Sequence, residues 1–155
     1  MVEHLDLSLV SLFAGWAMAG AVQDGLAAEG FVDVRFADGF VFQHLVEGPI
    51  TIGVLAERLE VSQQAASKSV ADLERRGYVA RTPDPFDARA RQVALTPRGE
   101  AVVAAARVQR AELAERLAER LGPRRVEAAR RLLAEVVAEL GADAAVSGRR
   151  VRPPR

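Results

Sequence analysis

Between Thr51 and Arg98 the chain changes hydrophobic period twice, and this constrains its fold more than any other feature. From Thr51, the apolar residues Val54, Leu55 and Leu59 mark one side of a short helix. Glu60-Val61 makes a tight connection. Ser62 is a good N-cap for a second helix that runs through QQAASKSVADLERR to Gly77. Two short helices joined by so short a turn form a helix-turn-helix candidate. After Gly77 the period becomes that of strands. Tyr78 to Thr82 reads as one strand, and Arg91 to Leu95 alternates as a second. The turn-rich segment 83–90 between them makes a hairpin with a charged tip, a wing. Thr96-Pro97 then restores a helical pattern, with Thr as cap and Pro at the first helical position.

The flanks are helical. Leu5, Leu9, Leu12, Trp16 and Ala19 recur at spacings of three and four, one face of a long N-terminal helix that Gly30 ends. Asp38 is placed to cap a helix carrying Phe40, Val41, His44 and Leu45, broken by Glu47-Gly48-Pro49. From Pro97 to about Leu140 helix formers dominate, and Gly122-Pro123 splits the run in two. Glu112 with Arg116, and Glu127 with Arg131, are spaced for ion pairs along those helices. The N- and C-terminal helices offer more apolar surface than a small winged domain can bury, so self-association is expected. The expected organisation is an N-terminal dimerisation helix over 1–30, a winged helix-turn-helix over 36–99, C-terminal dimerisation helices over 100–141 and a flexible Arg-rich tail over 142–155. The fold class is mainly α with a small β-hairpin wing.

Several function classes drop out on composition. Cys is absent, which excludes disulfides, thiol redox sensing and Cys-ligated zinc. With only His4 and His44, no His-rich metal site is expected. No Gly-rich phosphate loop or Ser-His-Asp arrangement is found, so neither an enzyme nor a cofactor is expected. Leu7 to Val22 is a 16-residue run without charge. It lacks the basic start of a signal peptide, and Gln23 and Asp24 stop it short of a membrane span. It reads as a buried helix of a cytoplasmic protein without a membrane partner.

The 21 basic and 21 acidic residues balance, so a nucleic-acid surface must come from local placement. At about 100° per residue, Ala66, Val70 and Leu73 fall on the inner side of the second helix. Gln63, Gln64, Ser67, Lys68 and Arg75 fall on the other. Glutamine pairs with adenine and lysine donates to guanine in the major groove. A recognition helix presents its N-terminal residues to base edges. In the hairpin, Arg81, Arg89 and Arg91 bracket a projection suited to the minor groove, and Asp87 is spaced to orient Arg89 by a forked pair. A solvated helix face and a solvated hairpin remain the alternative for both elements.

The stretch ITIGVLAERLEVSQQAASKSVADLERRGYVARTPDPFDARARQVALTPRGE resembles the MarR family of bacterial transcriptional regulators. LAERLEVS is similar to the family's first helix and turn, and SKSVADLERRGYVAR to its recognition helix and exit into the wing. DPFDARARQVALTPRG resembles its wing signature, Asp-Arg-Arg, three residues, Val-x-Leu-Thr-x-x-Gly. A weaker similarity covers Gly30-Phe31-x-Asp33-Val34-Arg35. The resemblance implies a homodimer on a pseudo-palindromic DNA operator, acting as a repressor that a small aromatic or phenolic effector releases. Lys68 matches the family's basic residue in the recognition helix, and Asp87 and Arg89 match the wing pair. Ala88 departs from the usual arginine between them. By analogy with the family's effector crevice, Phe13, Trp16, Phe40 and His44 are candidate ligand contacts, with core packing as the alternative. A second functional reading is a winged-helix protein-interaction module that binds no specific DNA.

Overall fold

A computed structural model describes residues 4–87 and 91–142. Its elements are α1 (Leu7–Ala28), α2 (Asp38–Leu45), β1 (Ile50–Thr51), α3 (Ile52–Leu59), α4 (Gln63–Arg75), β2 (Val79–Pro83), β3 (Arg91–Leu95), α5 (Pro97–Leu121) and α6 (Pro123–Glu139). The helix starts follow from local chemistry. Thr51, Ser62 and Thr96 each accept the backbone N–H three residues on, at 3.3, 3.1 and 3.1 Å. Each bond satisfies a donor that the first turn leaves without an intrahelical partner. The stops are equally local. Tyr78 N donates to Leu73 O at 3.0 Å and Gly77 N to Glu74 O at 2.9 Å, with Gly77 at φ +78°. This is a Schellman ending, whose left-handed residue glycine adopts without steric cost.

The sheet has three strands in the order β1-β3-β2, all antiparallel. Val79 pairs with Leu95 and Pro83 with Arg91 along the hairpin. β2 is an edge strand, which is where a proline can sit. The sequence reading held only the two hairpin strands. β1 adds two residues, Ile50 opposite Val93 and Thr51 opposite Gln92, too short a segment for alternation to register. The first strand also begins one residue later than expected, because Tyr78 closes the α4 ending.

Leu55, Val70, Leu73, Tyr78, Val93 and Val102 are almost wholly buried and form the core between α2, α3, α4, the sheet and the first turns of α5. Val22 and Leu26 close it from the end of α1. Gly99 lets α5 begin directly over the sheet, since a Cβ there would lie 2.1 Å from Tyr78 O.

Two expectations need correction. Asp38 does not cap α2. The N-cap is Ala37, which makes no side-chain cap bond, while Asp38 is buried in the first turn and turned toward α4. The N-terminal helix is not buried in the single chain. α1 packs along α5, and Gln109 Nε2 donates to Glu29 Oε1 at 2.7 Å near its end. Yet Leu9, Leu12, Phe13, Trp16 and Met18 are exposed, and only Val22 and Leu26 are buried along its length. By length and composition alone α1 is long and apolar enough to cross a membrane. No residue of α6 is buried either, and Leu132, Leu133 and Leu140 are exposed. On α6, Glu127 bonds Arg130 and Arg131 at 2.8–2.9 Å. Among the described residues no ion pair joins Glu112 to Arg116.

Candidate nucleic-acid interface

α4 carries the polar face that the wheel predicts. Ala66, Val70 and Leu73 are buried, whereas Gln63, Gln64, Lys68 and Arg75 are exposed and Ser67 is half-buried. The helix N-terminus, with its partial positive charge, opens beside the two glutamines. Gln63 is already partly placed: its Nε2 lies 3.3 Å from where a Cβ on Gly53 would stand, over the first turn of α3. Arg75 pairs with Asp72 while its side chain stays largely in solvent. The face therefore combines an amide lying close over α3 with an amide and an ammonium on exposed residues.

The other end of α4 is fixed by a group that sequence reasoning missed. Arg76 donates to both oxygens of Asp38, at 2.7 and 2.9 Å, to Asp72 Oδ2 at 2.7 Å and to the carbonyl of Asp33 at 2.8 Å. The Arg76 and Asp38 side chains are each only 10% exposed. A forked pair of this kind sets orientation as well as attraction. The hydrogen bond to Asp38 outweighs desolvation and raises the Arg76 pKa further. Burial pushes the Asp72 carboxyl up, but the bond and charge of Arg76, with Arg35 and Arg75, hold it below the usual range. In the sequence, Arg76 is the second of two adjacent arginines and its main partner lies 38 residues upstream. The one usable signal was an aspartate before the second helix, and capping absorbed it.

A second cluster ties α5 to the same loop. The Tyr78 hydroxyl donates to Asp33 Oδ1 at 2.5 Å, and Arg98 Nη2 donates to that hydroxyl at 3.0 Å and to Asp33 at 3.2 Å. The Arg98 guanidinium lies over the Tyr78 ring, 4.7 Å from its centroid. The bond from Tyr78 lowers the Asp33 pKa, while burial and then Asp33 raise that of Tyr78. The segment 29–37 is thus bound to the last turn of α4 and the first turn of α5.

In the wing, Arg81 is engaged. Its Nη2 donates to Ser67 O at 3.3 Å, its backbone N–H donates to Glu74 Oε1 at 3.2 Å, and its Nε lies 3.7 Å from Glu74 Oε2. It braces the hairpin against α4. Arg91 is exposed at the start of β3. Asp84, which sequence reasoning did not single out, organises the turn: its Oδ1 accepts from the backbone of Phe86 at 2.8 Å and of Asp87 at 3.3 Å, and its Oδ2 from Gln92 Nε2 at 3.0 Å. The bond from Phe86 leads in holding the Asp84 carboxyl below its usual range. Asp87 is exposed beside this turn. Arg89 and Ala88 lie outside the described residues, as does nearly all of the Arg-rich tail.

The four candidate ligand residues fall into two groups. Phe13 and Trp16 are exposed on α1, edge to face with centroids 5.5 Å apart. Phe40, half-buried on α2, meets Phe36 edge to face at 5.4 Å, and His44 is buried on the same helix. Two surface concavities, about 680 Å³ along α6 and about 420 Å³ between the end of α2, β3 and α5, are lined by other residues.

Comparison with known proteins places the geometry. Residues 32–90 match the model of the MarR family. An uncharacterized HTH-type transcriptional regulator of Mycobacterium bovis is 42% identical over 73 residues, 46% of this chain and 51% of that protein. The match thus spans about half the length of the curated relatives. The structure of YusO from Bacillus subtilis is 25% identical, with a TM-score of 0.67 over 85% of this chain and 91% of YusO. A variant of S. aureus MepR bound to an oligodeoxyribonucleotide is 20% identical, with a TM-score of 0.60 over 88% of this chain and 99% of MepR. At that identity the likeness to MepR is one of fold.

Proposed function

We propose that this chain, which belongs to the MarR family of winged helix-turn-helix proteins, is a sequence-specific DNA-binding transcriptional regulator acting as a homodimer. The observation that carries the proposal is the α4 face: a Ser62-capped N-terminus with Gln64 and Lys68 exposed, on a helix whose far end Arg76 locks to Asp38. A rigid helix with polar N-terminal side chains suits base reading in the major groove. In this reading Gln63, Gln64, Ser67, Lys68 and Arg75 face the major groove. Asp87, Arg89 and Arg91 serve the minor groove, and Arg81 holds the hairpin in register with α4. The exposed leucines of α1 and α6 form the dimer contact, so that 1–30 and 100–141 flank the winged region 36–99. The regulator acts in the cytoplasm as a repressor, and a small aromatic or phenolic effector releases it by binding near Phe13, Trp16, Phe40 and His44 once a second copy completes the crevice. No catalytic step enters this reading.

The test is selection from a random duplex pool at about 150 mM salt, near physiological ionic strength. The expected product is an inverted repeat with half-site centres about one helical turn apart. No enrichment by folded, dimeric protein contradicts the reading and favours a partner-binding winged helix. Release of the selected duplex by phenolic compounds tests the effector.

A further inference from the structure

We infer that Phe86 is a DNA-contacting residue of the wing, laying its ring against the deoxyribose wall of the minor groove; the inference rests on the DNA-binding reading above. Phe86 is 96% exposed, more than any other large apolar residue described. A phenylalanine left in water forgoes the free energy that burying its ring would bring. Single exposed apolar residues are ordinary on protein surfaces, but this one is held in place. Asp84 accepts from the backbone N–H groups of Phe86 and Asp87 and, through its second oxygen, from Gln92 on β3. Pro85 restricts the backbone just before it. The turn is therefore built to present the ring rather than to hide it.

The surroundings indicate the occupant. Phe86 lies in the β2–β3 loop, which the DNA reading directs to the duplex, and Arg91 stands exposed at the first position of β3. The Asp84 carboxylate is occupied by three N–H donors, and Asp87, next to Phe86, is exposed. A minor groove offers an aromatic ring the C–H faces of its sugars, and proteins that enter it use apolar side chains there. Phe86 is on a different element from the exposed leucines of α1 and α6, which a second copy covers in the dimer reading. Its contribution is apolar, so it releases no counterions.

The experiment compares wild type, Phe86→Ala and Phe86→Trp on the selected duplex across a salt series. The inference predicts that Phe86→Ala weakens binding about tenfold at every salt concentration, with the slope of log affinity against log salt unchanged. Phe86→Trp should keep wild-type affinity and show a DNA-dependent change in indole emission that the native Trp16 does not give. The melting temperature of free Phe86→Ala should equal that of wild type, because the ring touches solvent. Phe86→Ala binding within twofold of wild type overturns the inference while leaving the DNA reading intact. Wild-type protein that retains no duplex contradicts both.

Discussion

In the lobe from α2 to the first turns of α5, Leu55, Val70, Val93 and Val102 are at most 1% exposed, whereas on α1 and α6 Trp16, Leu132 and Leu133 are 60%, 51% and 38% exposed. Both regions are rich in aliphatic residues. The lobe closes its core with helices, a short sheet and the start of α5, and the end of α1 adds Val22 and Leu26. α1 and α6 each pack chiefly on α5 and keep an exposed side. One chain thus contains a unit that is complete and a pair of helices whose apolar sides are left exposed. Contiguous exposed apolar surface is uncommon on monomers, which is why the proposed dimer contact is placed there. In the reading proposed above, the complete unit carries the base-reading face, and the incomplete one sets how many such faces meet the DNA.

The largest effect should come from breaking the complete unit. Arg76→Ala leaves Asp38 buried without its charge partner, with only the Arg35 N–H bond, and should cost about 3–5 kcal/mol of stability in denaturant titration. A cost below 1 kcal/mol would mean that α4 is held by packing alone. On the incomplete side, Leu132→Glu should raise the dimer dissociation constant about a hundredfold in sedimentation, with helical content kept. The same change leaving the dimer intact would move the interface elsewhere and erase the contrast.

Acid and alkali should sharpen it. Asp33 and Asp72 have folded-state pKa values below the ordinary 3.8. What they contribute is present above the unfolded value and is lost as pH falls through the folded ones. Tyr78 is raised above 10.0, so its share holds below that value and is lost as pH rises through the folded one. Stability of the lobe should therefore plateau from about pH 5 to pH 9. In Tyr78→Phe the alkaline decline should shrink while the acid decline persists; an unchanged alkaline limb would show that Tyr78 does not govern it. The smallest effect is local: Ser62→Ala removes one cap bond and should cost about 1 kcal/mol in thermal unfolding.

The elements of the lobe were legible because their signals are local. Caps at Ser62 and Thr96, a glycine at 77 and alternation from Arg91 to Leu95 each act within a few residues. What escaped was long-range. The Arg76–Asp38 pair spans 38 residues and the Tyr78–Asp33 bond 45, and nothing in a hydrophobic period marks them. β1 escaped because two residues carry no period. Arg81 was legible as a basic residue of the wing, but not as a brace, since that role depends on where Ser67 and Glu74 lie in three dimensions. The spacing of three and four marked an apolar side of α1 but could not say that no other described segment covers most of it.

The central claim is that the exposed N-terminal face of α4 reads bases. The most direct measurement is the affinity of Lys68→Ala for the selected duplex and for a random duplex at one salt concentration. If Lys68 contacts a base, the specific complex should lose about 1–3 kcal/mol while the non-specific complex loses far less. Equal losses on both duplexes would make Lys68 a phosphate contact and contradict the claim.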